Sequence, residues 1–152
     1  MEKQKPLPPL EWNSLLYMAC RDHTRDIVPK GLTTIKGTDG SMPTDRIARY
    51  GILESKLADS CIFSVISPLE ALERLIVCDG QKQRGFRKAI FSREFKYCGV
   101  SCGLHSRHEN IIQLLYVCEI YENDEKKNNK SYDQEMKKNS SGKFISSDMN
   151  EQ

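Results

Sequence analysis

Gln83-Arg84-Gly85-Phe86-Arg87-Lys88-Ala89-Ile90-Phe91, followed by Glu94-Phe95-Lys96-Tyr97-Cys98-Gly99-Val100, is the stretch of this 152-residue chain that decides its fold. Arg84-Gly85 is turn chemistry, and a strand is expected from Phe95 to Leu104. A second strand, Ile111 to Tyr121, follows it, with His105 to Asn110 as the hairpin loop. Upstream, Ser67-Pro68-Leu69-Glu70 reads as a capping box with proline at the first helical position. The helix behind it is expected to bury Leu69, Leu72, Leu75 and Ile76 and to break at Asp79-Gly80.

Further out, Leu57 to Ile66 reads as a strand, and Pro43 to Tyr50 as a short helix closed by Gly51. Gly31 to Met42 is a loop rich in Gly and Thr. Asn13 can cap a helix running to about Ile27, with Leu15, Leu16, Ala19, His23 and Ile27 along one stripe. Pro6 to Pro9 makes a stiff, extended lead-in. Strands flanked by helices, with at least one hairpin, give an α+β sandwich. After Tyr121 the residues are Lys, Asn, Ser, Asp and Glu without periodicity. The expectation is therefore a domain over 5–121 and a disordered polar tail over 122–152.

Charge excludes an electrostatic nucleic-acid binder: there are 23 Lys plus Arg against 21 Asp plus Glu. No apolar run reaches the ~18 residues of a membrane helix. The start, Met-Glu-Lys-Gln-Lys-Pro-Leu-Pro-Pro, has no apolar stretch of the kind a signal peptide needs, and the compartment stays unknown. Two glycosylation sequons, at Asn129 and Asn139, matter only in a secreted chain.

Without a secretory signal, the six cysteines are expected as reduced thiols, four of them (Cys20, Cys61, Cys78 and Cys118) as small hydrophobes in apolar stretches. Cys98 and Cys118 would face each other in one of two hairpin registers. Cys98, Cys102, His105 and His108 suggest soft metal ligands, but on an extended strand Cys98 and Cys102 stand ~13 Å apart. Both zinc, with Zn–S near ~2.3 Å, and a disulfide are excluded unless the strand bends sharply at Gly99.

Several segments, in order, resemble the CAP superfamily, also called SCP-like, which includes the cysteine-rich secretory and pathogenesis-related proteins. They are Pro6 to Trp12, Ala19 to His23, Gly37 to Ser41, Arg46 to Gly51, Asp79-Gly80, the Arg84 stretch, and Gly99 to His105. The likeness covers roughly Lys5 to Tyr121 and is strongest to bacterial and protist members. It implies an α-β-α sandwich with a small, mainly antiparallel sheet and a surface groove. The family's leading helix has no counterpart ahead of Pro6, so the expectation is either a shortened product of a longer gene or a sheet face that something else covers.

Many family members carry two histidines and two carboxylates in that groove. The positions that correspond here are Ile35 and Phe86 for the histidines, Asp59 for one carboxylate and, more loosely, Asp39 for the other. A phenyl ring can neither hold a metal nor move a proton. The resemblance thus implies no catalytic residue, no metal and no cofactor, and a groove either retuned for an apolar small molecule, such as a lipid or sterol, or left without a ligand. Arg84, Arg87 and Lys88 are expected to be structural, with phosphate binding as the alternative. The reading is a non-enzymatic binding module; the other is a protein-interaction or vestigial module.

Overall fold

The computed structural model describes residues 4–65 and 67–123. The polar tail lies, from residue 124 on, outside the described residues, as do both sequons. The first strand, β1 (Glu11–Trp12), leads into helix α1 (Ser14–Ile27). The Asn13 side chain accepts from the N–H groups of Leu15 and Leu16 at 3.0 and 3.1 Å, the N-cap bonds that α1 needs. The expected stripe is the buried one, joined by Cys20 and Thr24. Gly31, at φ +64°, takes the left-handed turn that ends the segment.

Helix α2 (Pro43–Ala48) follows, then β2 (Gly51–Leu53), β3 (Leu57–Phe63), α3 (Pro68–Val77), α4 (Gly85–Ile90), β4 (Tyr97–His105), β5 (Glu109–Val117) and β6 (Ile120–Glu122). The main sheet has the order β1-β4-β5-β3, parallel at β1–β4 and antiparallel elsewhere. β2 and β6 make a small second sheet. Alternation along β5 sends Leu115 and Val117 to one face, where they pack with Leu16, Ala19, Cys20 and Ile47. Ile112 and Leu114 go to the other, packing with Ile62, Val65, Ala71 and Leu75. Helices α1 and α2 cover the first face, α3 and α4 the second, giving the three layers of an α+β sandwich.

Several expectations need correction. α3 buries Ala71 and Leu75, whereas Leu69 (66% exposed) and Leu72 (48%) face outward. Leu75 of the expected stripe is buried, but Ala71 rather than Leu69 or Leu72 packs beside it. Gly85 opens a helix rather than a simple turn, after Arg84 in the left-handed region at φ 48°. The last expected strand divides into β5 and β6. β4 runs unbroken through Gly99, so no bend brings Cys98 and Cys102 together.

The hairpin register pairs Cys98 with Tyr116, not with Cys118. Cys20 and Cys78 are buried as expected, but Cys61 and Cys118 are only half-buried. None of the six sulfurs is bonded to another.

Candidate functional site

Of the four groove positions, three gather around one side chain that pattern reading did not single out. Arg46, on α2, is 1% exposed. Its guanidinium donates to the Ser41 carbonyl at 2.8 Å and to the Ile35 carbonyl at 3.2 Å. Burial lowers its pKa, and the charges of Asp59 and Asp39 are among the attractions that oppose this. Arg46 therefore ties the 31–42 loop to α2. Ile35 contributes its carbonyl, while its side chain is 54% exposed.

Asp39 is held well below the usual carboxylate range, first by the Ser41 hydroxyl, then by the Ser41 N–H at 2.9 Å and by Arg49 at 2.6 Å. It is an ionised turn-forming group and has no proton to give.

Asp59, on β3, faces the α1 side beside Leu115. Burial raises its pKa, opposed by the Gln113 amide and by Arg46. The Gln113 Nε2 lies 3.4 and 3.5 Å from the two carboxylate oxygens, so these bonds are long. On its other side the Gln113 Oε1 accepts from His23 Nδ1 at 2.9 Å. Hydrogen bonds thus link His23 of α1 to Gln113 and Asp59 of the sheet, and the charge of Arg46 on α2 extends this buried polar chain by attraction to Asp59. Beside it Cys61 is pushed up to about 12, by burial and then by the Asp59 charge, which makes its thiol inert at neutral pH.

This chain predicts a pH dependence. Burial lowers the pKa of His23 from 6.5. Below 6.5 the unfolded chain then binds more protons than the folded one, so stability is full above that value and declines as pH falls through the folded pKa. In denaturant titrations from pH 7.5 to pH 5, His23→Gln is expected to flatten this decline. An equally steep decline in the variant would locate the effect elsewhere.

Phe86 stands in the opposite layer, on α4, packed against the cluster of Ile62, Val65, Ala71 and Leu75. With Ile62, Val77 and Cys78 it lines a pocket of about 510 Å³, whose lining also includes Glu70, Glu73, Arg74, Asp79 and Gln81. The structure thus groups Ile35, Asp39 and Asp59 around Arg46 and sets Phe86 on the other side of the sheet.

The arginines on either side of Phe86 bond to the end of α3. Arg84 Nη1 donates to the Val77 carbonyl at 3.1 Å, Arg87 Nη2 to the same oxygen at 2.6 Å, and Arg87 Nε to Ile76. These are orphan carbonyls at the end of α3, where cations also suit the helix dipole. The guanidinium groups are thereby committed to the helix end.

His105 Nε2 donates to the Leu32 carbonyl at 2.9 Å, while Nδ1 accepts from the N–H groups of Arg107 and His108. One ring nitrogen serves the hairpin turn and the other holds the 31–42 loop against it. Among the described residues, no group of three or more His, Cys, Asp or Glu side chains is placed to hold a metal ion. The groove positions do not fit one either: Ile35 and Phe86 offer no donor, and Asp39 is turned to Arg49. No helix among the described residues is long and apolar enough to cross a membrane.

Comparison with known proteins places these features. Residues 3–120 match the model of the cysteine-rich secretory protein family, CAP. An outer surface protein from Borrelia burgdorferi is similar in structure, with a TM-score of 0.58 at 14% identity, over 73% of this chain and 78% of that one. An extracellular protein containing a SCP domain from Bacillus anthracis str. Ames gives 0.57 at 15% identity. It is matched over 74% of this chain, which spans only 35% of that protein. At such identities the likeness concerns the fold alone. No curated protein matches the chain.

Proposed function

Because the chain belongs to the cysteine-rich secretory protein (CAP) family, we propose that it is a non-enzymatic binding module of that fold whose pocket takes an apolar small molecule of the lipid or sterol class. One observation carries the reading. Phe86, at the position corresponding to a family histidine, lines the pocket of about 510 Å³ together with Ile62 and Val77. That volume is in the usual range for small-molecule sites, and burying a ligand's apolar surface stabilises the complex by about 25 cal/mol per Å². Proton transfer, by contrast, needs a tuned acid or base within reach of substrate. Asp39 is fixed as an anion by Ser41 and Arg49, and Asp59 is packed among α1, α2 and the sheet.

Titration with Nile red should give a saturable rise in fluorescence that a sterol or a long-chain alcohol reverses. Val77 is 53% exposed, so Val77→Trp can fill the pocket without disturbing the core, and it should abolish the signal. A flat titration, or a signal indifferent to Val77→Trp, would defeat the reading.

A second reading, a protein-interaction module without a small ligand, draws on Leu104. This residue of β4 is 86% exposed, and Leu69 of α3 is 66% exposed. Single exposed leucines are common on protein surfaces, which is why the pocket is ranked first.

A further inference from the structure

The lead-in Lys5-Pro6-Leu7-Pro8-Pro9-Leu10 is neither helix nor strand, and the binding pocket makes no use of it. Proline fixes φ near −65° at three of its positions, and a following proline drives Lys5, Leu7 and Pro8 toward extended backbone. Such a run favours the polyproline II helix, with three residues per turn and no internal hydrogen bonds. Burial along the segment has that period. Leu7, Leu10 and Asn13 are half-buried, while Lys5, Pro6, Pro8, Pro9, Glu11 and Trp12 are exposed.

Of the three edges of this prism, Leu7/Leu10 therefore lies against the protein. The other two, Lys5/Pro8 and Pro6/Pro9, stand outward. Below them Leu7 to Glu11 and Phe95 line a gap of about 340 Å³. The far end is anchored where the Glu11 N–H donates to the Lys96 carbonyl at 2.7 Å.

We propose that this ridge is a ligand for a proline-reading groove of the SH3 type, lined by aromatic rings and bordered by carboxylates. A groove that receives a three-edged helix contacts two edges and leaves the third outside, and the third edge here is the one the protein already occupies. Pro6 and Pro9 have the Pro-x-x-Pro spacing that such grooves read. Lys3, by sequence, stands three residues before Pro6, so the motif is Lys-x-x-Pro-x-x-Pro, and Lys5, which is exposed, adds another positive charge. Positive charge at this end selects a groove with acidic residues. Because proline has already restricted the backbone, little ordering remains to oppose binding. The inference goes beyond the small-molecule reading and stands independently of it.

The test is titration of the full chain with a panel of purified SH3 domains that select basic-x-x-Pro-x-x-Pro ligands, with WW domains as comparison. Saturable SH3 binding is expected. Pro6→Ala and Pro9→Ala should each weaken it by about tenfold. Lys3→Glu should weaken it too, and Leu7→Ala should leave it within about twofold. Pro6 and Pro9 are exposed, so their variants should melt like the parent. No saturable binding to any SH3 domain overturns the proposal; so does binding that Pro6→Ala does not change, or a preference for the WW domains.

Discussion

Gly99→Ala is expected to cost about 3 kcal/mol of folding stability, a large share of the ~5–15 kcal/mol that holds a domain folded. Gly99 lies in β4 opposite Leu115, on the sheet face that α1 covers. A Cβ at this position would stand 2.4 Å from the Leu16 carbonyl carbon and 2.4 Å from the Tyr17 nitrogen, both backbone atoms of α1. No rotamer change relieves such a contact, so the helix as a whole must move away from the sheet. Leu16, Ala19 and Cys20 would move with it, and the Cys20 thiol would lose its bond to the Gly99 carbonyl. Gly103, further along the same face of β4, provides the control. There a Cβ would meet the Val28 Cγ2 at 3.2 Å and the Ile111 Cγ2 and Val28 Cγ1 at 3.8 and 3.9 Å, all side-chain atoms, of which only the first is tight and can yield. Urea unfolding of both variants decides the matter: Gly103→Ala should stay within about 1 kcal/mol of the parent. A Gly99→Ala protein as stable as the parent would mean that α1 does not approach the sheet as closely as described.

How much of this was legible in the sequence differs from element to element. α1 was legible because its cap and its apolar stripe agree, Asn13 at one end and Leu16 to Ile27 along the face. The Ser67 cap and the Asp79-Gly80 stop framed α3, and the Ser67 hydroxyl does accept from the Glu70 N–H at 3.1 Å. The buried face of α3 was only partly legible: Leu75 is buried as its spacing indicates, but Ala71 takes the place that hydrophobicity gives to Leu69 and Leu72. α4 has only six residues, too few for periodicity to register, and its start depends on Arg84 adopting a left-handed backbone. The site was legible only where the family resemblance supplied positions. Arg46 carries no pattern signal, since arginine is almost never fully buried and two of its acceptors are main-chain carbonyls brought close by the fold. Nothing in the spacing of Ile35, Asp39, Asp59 and Phe86 indicated that a sheet would separate the last from the others.

Arg46→Met is the second large effect expected, a loss of about 2–4 kcal/mol, because two hydrogen bonds from a buried charged donor go together with its attraction for Asp59. The methionine fills much of the same space, so the loss is electrostatic and hydrogen-bonding rather than a cavity. The carbonyls of Ser41 and Ile35 lose their donor, and a hydrogen bond from a charged group contributes about 1.5–3 kcal/mol. Asp59 loses an attraction that opposes its burial, so its already raised folded pKa must rise further. A carboxylate with a raised folded pKa binds protons more tightly folded than unfolded, so its penalty is present at neutral pH. The penalty fades as pH falls through the folded pKa toward the ordinary value of 3.8. The Arg46→Met deficit, measured against the parent, should accordingly shrink between neutral and mildly acidic pH. Adding Asp59→Leu should recover part of it at pH 7, because removing both charges is far less costly than removing one. Arg46→Lys should not restore the parent's stability, since a single ammonium cannot reproduce the fork that reaches both carbonyls. A double-mutant cycle by urea unfolding measures the coupling directly. If Arg46→Met costs under about 1 kcal/mol, or if Asp59→Leu adds its full cost on top, the two charges do not support each other and the buried chain from His23 to Arg46 is not a unit.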